Sequence, residues 1–588
     1  TYLQFQDVLE DLVLIETKAS NGNTIDELEV KGQSIGLRAL TDPGLTPVNT
    51  TAGEVGEVVV SFVTASPVPA DGSVVVTFPE SFELESGTSV VSSNMGGGAD
   101  VVLRDLEARK VTVKLSLSDA LDKDSNVSLT LDKIKNPRVS GVPEGTGIIE
   151  TQTSSGAPID RSGEVRAGVI TPGKLDQVAV VSRDPTAGAV GTIDVRFTLA
   201  NELPSKGLIW VTIPESFIFN LGAGTDLEDL EVKFDGIAEV GATARIVGQT
   251  VIVSRFVGHN VDMPEGTVVE LALTHIKNPG VSGVPDGIVV LETQTVAGIP
   301  IDRDDNVRAK KIAPGVLTGA NVEARSKSAG AVGAVDVIFT TANPVPADGE
   351  IRVTFPPSTD LNGRFQISDV TLPDGKDSYS FDGGVTLEVV GSTVYILRQG
   401  DGTELDAGSE VTLRLSNITN PSKRGLADGY DILTADGSQT IIDQVKGIGG
   451  DNFGSGAILD AQVRLQDSRA GATGYAEVSF IITNDLPTDG SILVTFPEGF
   501  VLNSGGDTGV EVIKEDSRIL SIPTKTRVFG QNAVVKLKDR GRRTYSGASI
   551  TLELTNIKNP GVSGPIGLFG IGTVGRAEVR EMRRNNPF

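Results

Sequence analysis

The stretch Phe62-Val-Thr-Ala-Ser-Pro-Val-Pro-Ala-Asp-Gly-Ser-Val-Val-Val-Thr-Phe-Pro-Glu-Ser-Phe82 decides the fold, because its apolar residues alternate and because it returns three more times. Val74, Val76 and Phe78 fall on one side of an extended chain and Ser73, Val75 and Thr77 on the other. That period of two marks a half-buried β-strand. Pro69-Ala-Asp-Gly72 supplies the fixed φ and the φ > 0 residue of a tight turn between two such runs, which predicts a β-hairpin at the start of the unit.

The block recurs as Phe197 to Phe217, as Phe339 to Pro356, and as Phe480 to Phe500. Its aligned residues Phe78, Ile213, Phe355 and Phe496 are spaced by 135, 142 and 141. A second landmark, Asn-Pro after a run of alternating residues, places Asn136, Asn278, Asn420 and Asn559 at spacings of 142, 142 and 139. Two independent landmarks with one period define a tandem array. The expected fold is all-β: four immunoglobulin-like antiparallel β-sandwich domains forming a rod, with boundaries at 37–172, 173–314, 315–456 and 457–588 and an orphan closing hairpin at 1–36. Within each unit Pro at the second landmark should end a strand. A Gly-rich loop then leads to a closing pair, Ile149-Glu-Thr-Gln-Thr153 with Pro158-Ile-Asp160 in the first unit and Leu291-Glu-Thr-Gln-Thr295 with Pro300-Ile-Asp302 in the second. Leu103 to Lys110 is the best candidate for a short helical turn. Links such as Thr171-Pro-Gly173 are short and Pro-stiffened.

At 588 residues, the length fits about four domains of roughly 150 residues. A formal charge of −26 repels polyanions, so no nucleic-acid partner is expected. The absence of any run of 18 apolar residues argues against membrane insertion by a helix. A first residue Thr, with no signal-like segment before it, is what a processed chain would look like. With no Cys, the domains must stand on burial alone.

The ends carry the assembly signal. Ile15-Glu-Thr-Lys-Ala-Ser-Asn-Gly-Asn-Thr-Ile-Asp26 matches the closing hairpin Ile149 to Asp160, yet no unit body precedes it. From the landmark Pro to the Val after the closing hairpin is 28 residues in the first two units, 24 in the third and 19 in the fourth, Pro560 to Val579. An orphan closing element and a depleted one predict mutual completion between molecules by strand addition, a heterologous contact that builds a filament. Residues 1–44 hold eight acids and three bases, and residues 525–588 hold twelve bases and four acids, which would steer head-to-tail encounter. Ile15, Thr17, Ile25, Phe569, Ile571, Arg580, Arg583 and Arg584 are the candidate assembly residues. Folding back of the hairpin on the first unit, or truncation of a longer array, are the alternatives.

Catalytic chemistry finds little support. His275 aligns with Lys133, Asn417 and Asn556, so it reads as an exposed strand-end residue, and His259 sits in a loop; neither has a partner for a triad or a zinc site. Gly570-Ile-Gly-Thr-Val-Gly575 matches a dinucleotide-binding pattern but lacks the helix that must follow. Asp302-Arg-Asp-Asp-Asn306 has oxygen ligands of the kind calcium takes and reads first as a solvated charged turn. No enzyme activity, cofactor or metal is expected. Asn49, Asn126 and Asn417 stand in N-glycosylation sequons. Trp210 replaces an aliphatic or Arg residue of the other units and reads as a packed aromatic.

Thr341 to Pro356 and Ile418 to Gly425 resemble the tandem immunoglobulin-like repeats of microbial and protist cell-surface, adhesin and extracellular filament proteins, including mastigoneme-like fibres. The third unit departs from that pattern at Ser422-Lys-Arg-Gly425. The resemblance implies an extracellular or cell-surface location, glycosylation, contact with glycans and assembly. The function expected is a structural subunit of an extracellular filament or appendage whose partner is itself, head to tail; the alternative is a monomeric adhesin or stalk.

Overall fold

A computed structural model describes residues 12–31, 36–220, 231–238, 242–255, 261–361, 383–488, 490–503, 508–515, 518–519, 524–537, 543–574 and 579. The described chain is all-β, built from sheets that stack in pairs around apolar cores and are antiparallel apart from the short strand Gly315–Val316, which runs parallel to Ile441–Ile448. Two compact units divide it: Thr1–Asp184, Val190–Lys277 and Val284–Lys310 form one, and Pro185–Ala189, Asn278–Gly283 and Lys311–Phe588 form the other.

The first period shows how the pattern becomes a sandwich. Ahead of it stand β1 (Leu12–Lys18) and β2 (Thr24–Lys31). The period itself holds β3 (Thr41–Pro47), β4 (Val55–Val63), β5 (Ser73–Thr77), β6 (Glu83–Leu84), β7 (Val90–Ser93), β8 (Gly97–Asp105), β9 (Lys110–Leu117), β10 (Asn126–Lys135), β11 (Gly147–Gln152) and β12 (Pro158–Val165). One sheet joins β3, β4 and β10, with β6 and β7 on the far edge of β10; the other runs β12-β11-β5-β9-β8. Val58, Val60 and Phe62 of β4 face Val74 and Val76 of β5 and Phe78 just after it across the core, each at most 2% exposed. Alternation therefore sets which residues are inside, as it should on a one-face-buried sheet. The other periods hold cores of the same make-up around Phe197 and Ile213, Phe339 and Phe355, and Phe480 and Phe496.

Three expectations need correction. The strands flanking Pro69 to Gly72 are not a hairpin: β4 and β5 lie in different sheets, and the turn is an arch that crosses the sandwich. Its amide and carbonyl groups are used locally and along β9, with Gly72 N–H donating to Pro69 O and Leu115 N–H to Gly72 O, both at 2.9 Å. Period-two alternation identifies a strand but carries no information on its neighbour, and the turn chemistry of an arch and a hairpin overlap. Leu103 to Lys110 is not helical; it ends β8, turns at Leu106 to Arg109, with Arg109 at φ 53°, and starts β9. His275 is exposed, as expected, but lies two residues inside the end of the strand Val268–Lys277, at φ 58°. Lys133, Asn417 and Asn556 take φ 55°, 62° and 58° at the aligned positions, so this site is a repeated β-bulge whose left-handed residue points outward.

Candidate assembly site

The closing hairpin is built as its sequence suggests. β11 pairs with β12, and the Asp160 amide donates to Thr151 Oγ1 at 3.1 Å. The same bond recurs as Asp302 to Thr293 at 3.0 Å and Asp443 to Thr434 at 3.1 Å. All three Asp side chains are fully buried. A buried carboxylate needs donors, and each finds them at the third and fourth residues after the Phe of the arch block. In the second period Asp302 Oδ2 accepts from the amides of Ala200 at 3.1 Å and Asn201 at 3.0 Å, while Oδ1 accepts from Asn201 Nδ2 at 2.7 Å.

Asn201 does a second job. Its Nδ2 also donates to Ala52 O of the preceding period at 3.1 Å, so one amide group fastens a carboxylate in its own sandwich to a carbonyl of the one before. Gly53, at φ 74°, makes room: a Cβ there would lie 1.9 Å from Asn201 Oδ1. Within the second unit Asn343 repeats the arrangement, bridging Asp443 Oδ1 at 2.7 Å and Ala187 O at 3.0 Å over Gly188 at φ 70°. Asn484 reaches Ala329 O at 3.0 Å over Gly330, again at φ 70°. The receiving loops are held by the Asn-Pro landmark, whose Asn points its Nδ2 into them: Asn136 to Asn49 O and Thr51 O, Asn420 to Ser326 O and Ser328 O, Asn559 to Asp467 O and Arg469 O. The landmark is thus more than a strand terminator.

Sequence reasoning missed these plugs. Asn201, Asn343 and Asn484 sit beside Glu, Pro and Asp and look like turn residues. The signal lay in comparing periods: Asn recurs at that place in three of four, and Ala-Gly recurs at 52–53, 187–188, 329–330 and 470–471.

The two ends depart from the pattern. In the first period Ser66 stands in the Asn place; Asp160 Oδ2 accepts from the amides of Ala65 and Ser66 at 3.0 and 2.8 Å, and its buried Oδ1 has no partner. In the fourth, the strand Gly570–Val574 occupies the place of β11 on Ser491–Thr495, and no described strand lies outside it. No carboxylate stands before the amides of Thr483 and Asn484 among the described residues. Among the described residues nothing lies within 4 Å of a Cβ at Gly471, and Val562 is 79% exposed. Its counterpart Val139 packs against the second core.

The orphan hairpin forms as a closing hairpin: β1 pairs with β2, with Ile15 opposite Leu28, and the Asp26 amide donates to Thr17 Oγ1 at 3.1 Å. It joins no other described sheet. Ile25 is 63% exposed, whereas its counterparts Ile301 and Ile442 are buried. Phe569 packs with Phe496 and Phe500 at centroid distances of 5.3 and 5.5 Å, and Ile571 packs on the same core, so both belong to the fourth sandwich. Arg580, Arg583 and Arg584 lie outside the described residues, as does His259.

Asp302 to Asn306 is part of a strand, Pro300–Val307, rather than a turn, and Asp302 spends its oxygens on Asn201 and Ala200. Burial raises the Asp302 pKa although the Asn201 side chain and the amides of Asn201 and Ala200 pull it down. No group of three or more metal-ligating side chains occurs among the described residues. Gly570 to Val574 spends its backbone in the ladder to Ser491–Thr495. Asn49, Asn126 and Asn417 are all exposed. Trp210 is half-buried between Ile252 and Glu292, with its Nε1 buried and unpartnered. No helix among the described residues is long and apolar enough to cross a membrane.

No family model matches the chain, and no curated protein is similar to it in sequence. Solved structures resemble it only at low similarity. The C-terminal domain of the Streptococcus pyogenes antigen I/II-family protein AspA is 10% identical, with 50% of this chain and 97% of that one covered and a TM-score of 0.19. The type II cohesin dyad from the adaptor ScaA scaffoldin of Acetivibrio cellulolyticus is 11% identical, with 46% and 98% covered and a TM-score of 0.14. A serine-rich repeat protein from Streptococcus agalactiae is 13% identical, with 43% and 86% covered and a TM-score of 0.14. Similarities of this size assign neither a family nor an activity.

Proposed function

We propose that the chain is a structural subunit of an extracellular filament or cell-surface appendage, joined head to tail by β-strand complementation. One observation carries the reading. The β1–β2 hairpin has the fold and the internal Thr–Asp bond of a closing hairpin and joins no other described sheet, while no described strand lies outside Gly570–Val574 on the closing edge of the fourth sandwich. An exposed edge strand is a template for another chain, and main-chain pairing supplies affinity without a pocket. Because donor and acceptor lie on different parts of the chain, the contact is heterologous and propagates. Opposite charge over residues 1–44 and 525–588 favours this encounter over head-to-head meeting. The role is mechanical rather than catalytic, with itself as partner and sugars on exposed Asn49, Asn126 and Asn417 as decoration.

Deleting residues 1–32 tests it. The full chain should show filaments in negative-stain images and sediment as polymer, and the deleted chain should remain monodisperse. A deleted chain that polymerises as the full chain does refutes strand complementation; a full chain that stays monomeric and binds glycans favours an adhesin or stalk.

A further inference from the structure

Resting on that reading, the geometry points to exchange rather than addition: β1 of a second copy displaces the Gly570–Val574 strand, and β2 brings Asp26 to the amides of Thr483 and Asn484. In β12 and its counterparts the Asp side chain points into the sandwich while its own N–H faces the inner neighbour, Thr151, Thr293 or Thr434. In a strand of L-residues the side-chain face and the N–H side are linked for a given strand direction. Asp26 makes the same bond to Thr17 of β1, so it can point inward only with β1 as its inner neighbour. That neighbour's place, beside Ser491–Thr495, is held by Gly570–Val574.

The resident strand is a poor copy of what would replace it. Where β11 carries Ile149-Glu-Thr151 and β1 carries Ile15-Glu-Thr17, it carries Ile571-Gly-Thr573, with a further Gly at 570. Glycine inside a strand adds backbone entropy to be lost and no side chain to pack. The incoming hairpin would bury Ile25, as Ile301 and Ile442 are buried, and give the Thr483 and Asn484 amides the carboxylate their counterparts have. The spacing also fits. Arg38 pairs with Asp160 as Gly173 pairs with Asp302, and Arg38 lies 12 residues after Asp26 where Gly173 lies 13 after Asp160. The donor's first sandwich therefore reaches the loop at Gly471 on a connection of the usual length.

A reversible lock separates exchange from addition. Leu493 and Gly572 are paired across the two strands, a Cβ at Gly572 meets nothing within 4 Å, and the chain has no Cys. Directly opposed residues of antiparallel strands are about 4.5 to 5.5 Å apart at Cα, within disulfide range. The full-length Leu493→Cys/Gly572→Cys chain, oxidised as monomer and checked by mass, should pellet at less than about a tenth of the wild-type polymer fraction, and reductant should restore it. Polymerisation of the oxidised chain at the wild-type level overturns exchange. If the wild type itself forms no filament, the proposed function falls instead. Asp26→Ala should raise the critical concentration at least about tenfold, as expected for a lost charge-assisted bond, with Glu27→Ala near wild type. Equal effects of the two would overturn the role of Asp26.

Discussion

Asn343→Ala removes the side chain that links a carboxylate to a carbonyl in the second unit. Asn343 is 2% exposed and Asp443 is fully buried, so the groups left behind do not simply turn to water. Asp443 Oδ1 loses its donor at 2.7 Å and Ala187 O loses its donor at 3.0 Å. Each unsatisfied buried group costs about 1–3 kcal/mol, and the charged one lies at the upper end. The space vacated over Gly188 can take a water that recovers part of this, so the expected loss is about 2–4 kcal/mol. At about 1.4 kcal/mol per decade that is roughly a 30- to 700-fold change in an opening equilibrium. Native-state hydrogen exchange reads it directly, because the amides of Ala342 and Asn343 both donate to Asp443 Oδ2 at 2.9 Å and are exposed when the carboxylate shifts. A whole-chain denaturation midpoint would be a poor substitute, since an array of several cores does not unfold in two states. The reasoning is refuted if protection at those two amides falls less than about threefold, or if Ser66→Ala, which deletes no bridging amide, has an equal effect at Ala65 and Ser66.

Ser66→Asn should do the reverse in the first period, giving the orphaned Asp160 Oδ1 a donor and raising protection at Ala65 and Ser66 about fivefold to tenfold, worth about 1 kcal/mol. Gly330→Ala and Gly471→Ala form a matched pair at φ 70° and 72°: both cost about 1 kcal/mol of left-handed strain, but only the first drives a Cβ to 1.3 Å from Asn484 Oδ1, so only it should also unseat Asn484 and speed exchange of the Ala329 amide, which donates to Gly454 O at 3.0 Å. Asp302 has its pKa raised by burial, so its proton binds the folded state more tightly than the unfolded one. That contribution is present at low pH and lost as pH rises through the folded pKa, so exchange protection at Ala200 and Asn201, relative to Asp302→Asn, should fall from acid toward neutral pH. Phe569→Ala should destabilise the fourth sandwich by about 3–5 kcal/mol, seen as faster exchange of the Ser491–Thr495 amides, because it opens a void against Phe496 and Phe500.

Much of this fold was legible because its signals are local or periodic. Val58, Val60 and Phe62 announce an inner face, the period of about 140 is visible in two landmarks, and Ile-Asp marks a closing strand in three periods, after Pro in two of them. Pairing was not legible. The arch at Pro69 to Gly72 uses hairpin residues, and only the partners of β4 and β5 in β9, β10 and β11, 33 to 80 residues further along the chain, tell the two apart. The bulge at Lys133, His275, Asn417 and Asn556 escaped for another reason: Lys, His and Asn share one backbone shape there, and φ is not written in side-chain polarity. The plugs escaped because their partners are backbone carbonyls, which every residue possesses.

That last point reaches beyond any one junction. Asn201, Asn343 and Asn484 each address an Ala carbonyl over a Gly, and nothing they touch in the receiving loop is a side chain peculiar to one period. A coupling that reads only main chain is a standard fitting. Sandwiches carrying it can be duplicated, deleted or shuffled by recombination while their outward faces diverge, and a gene of this kind can change the length of its product without redesigning a single joint.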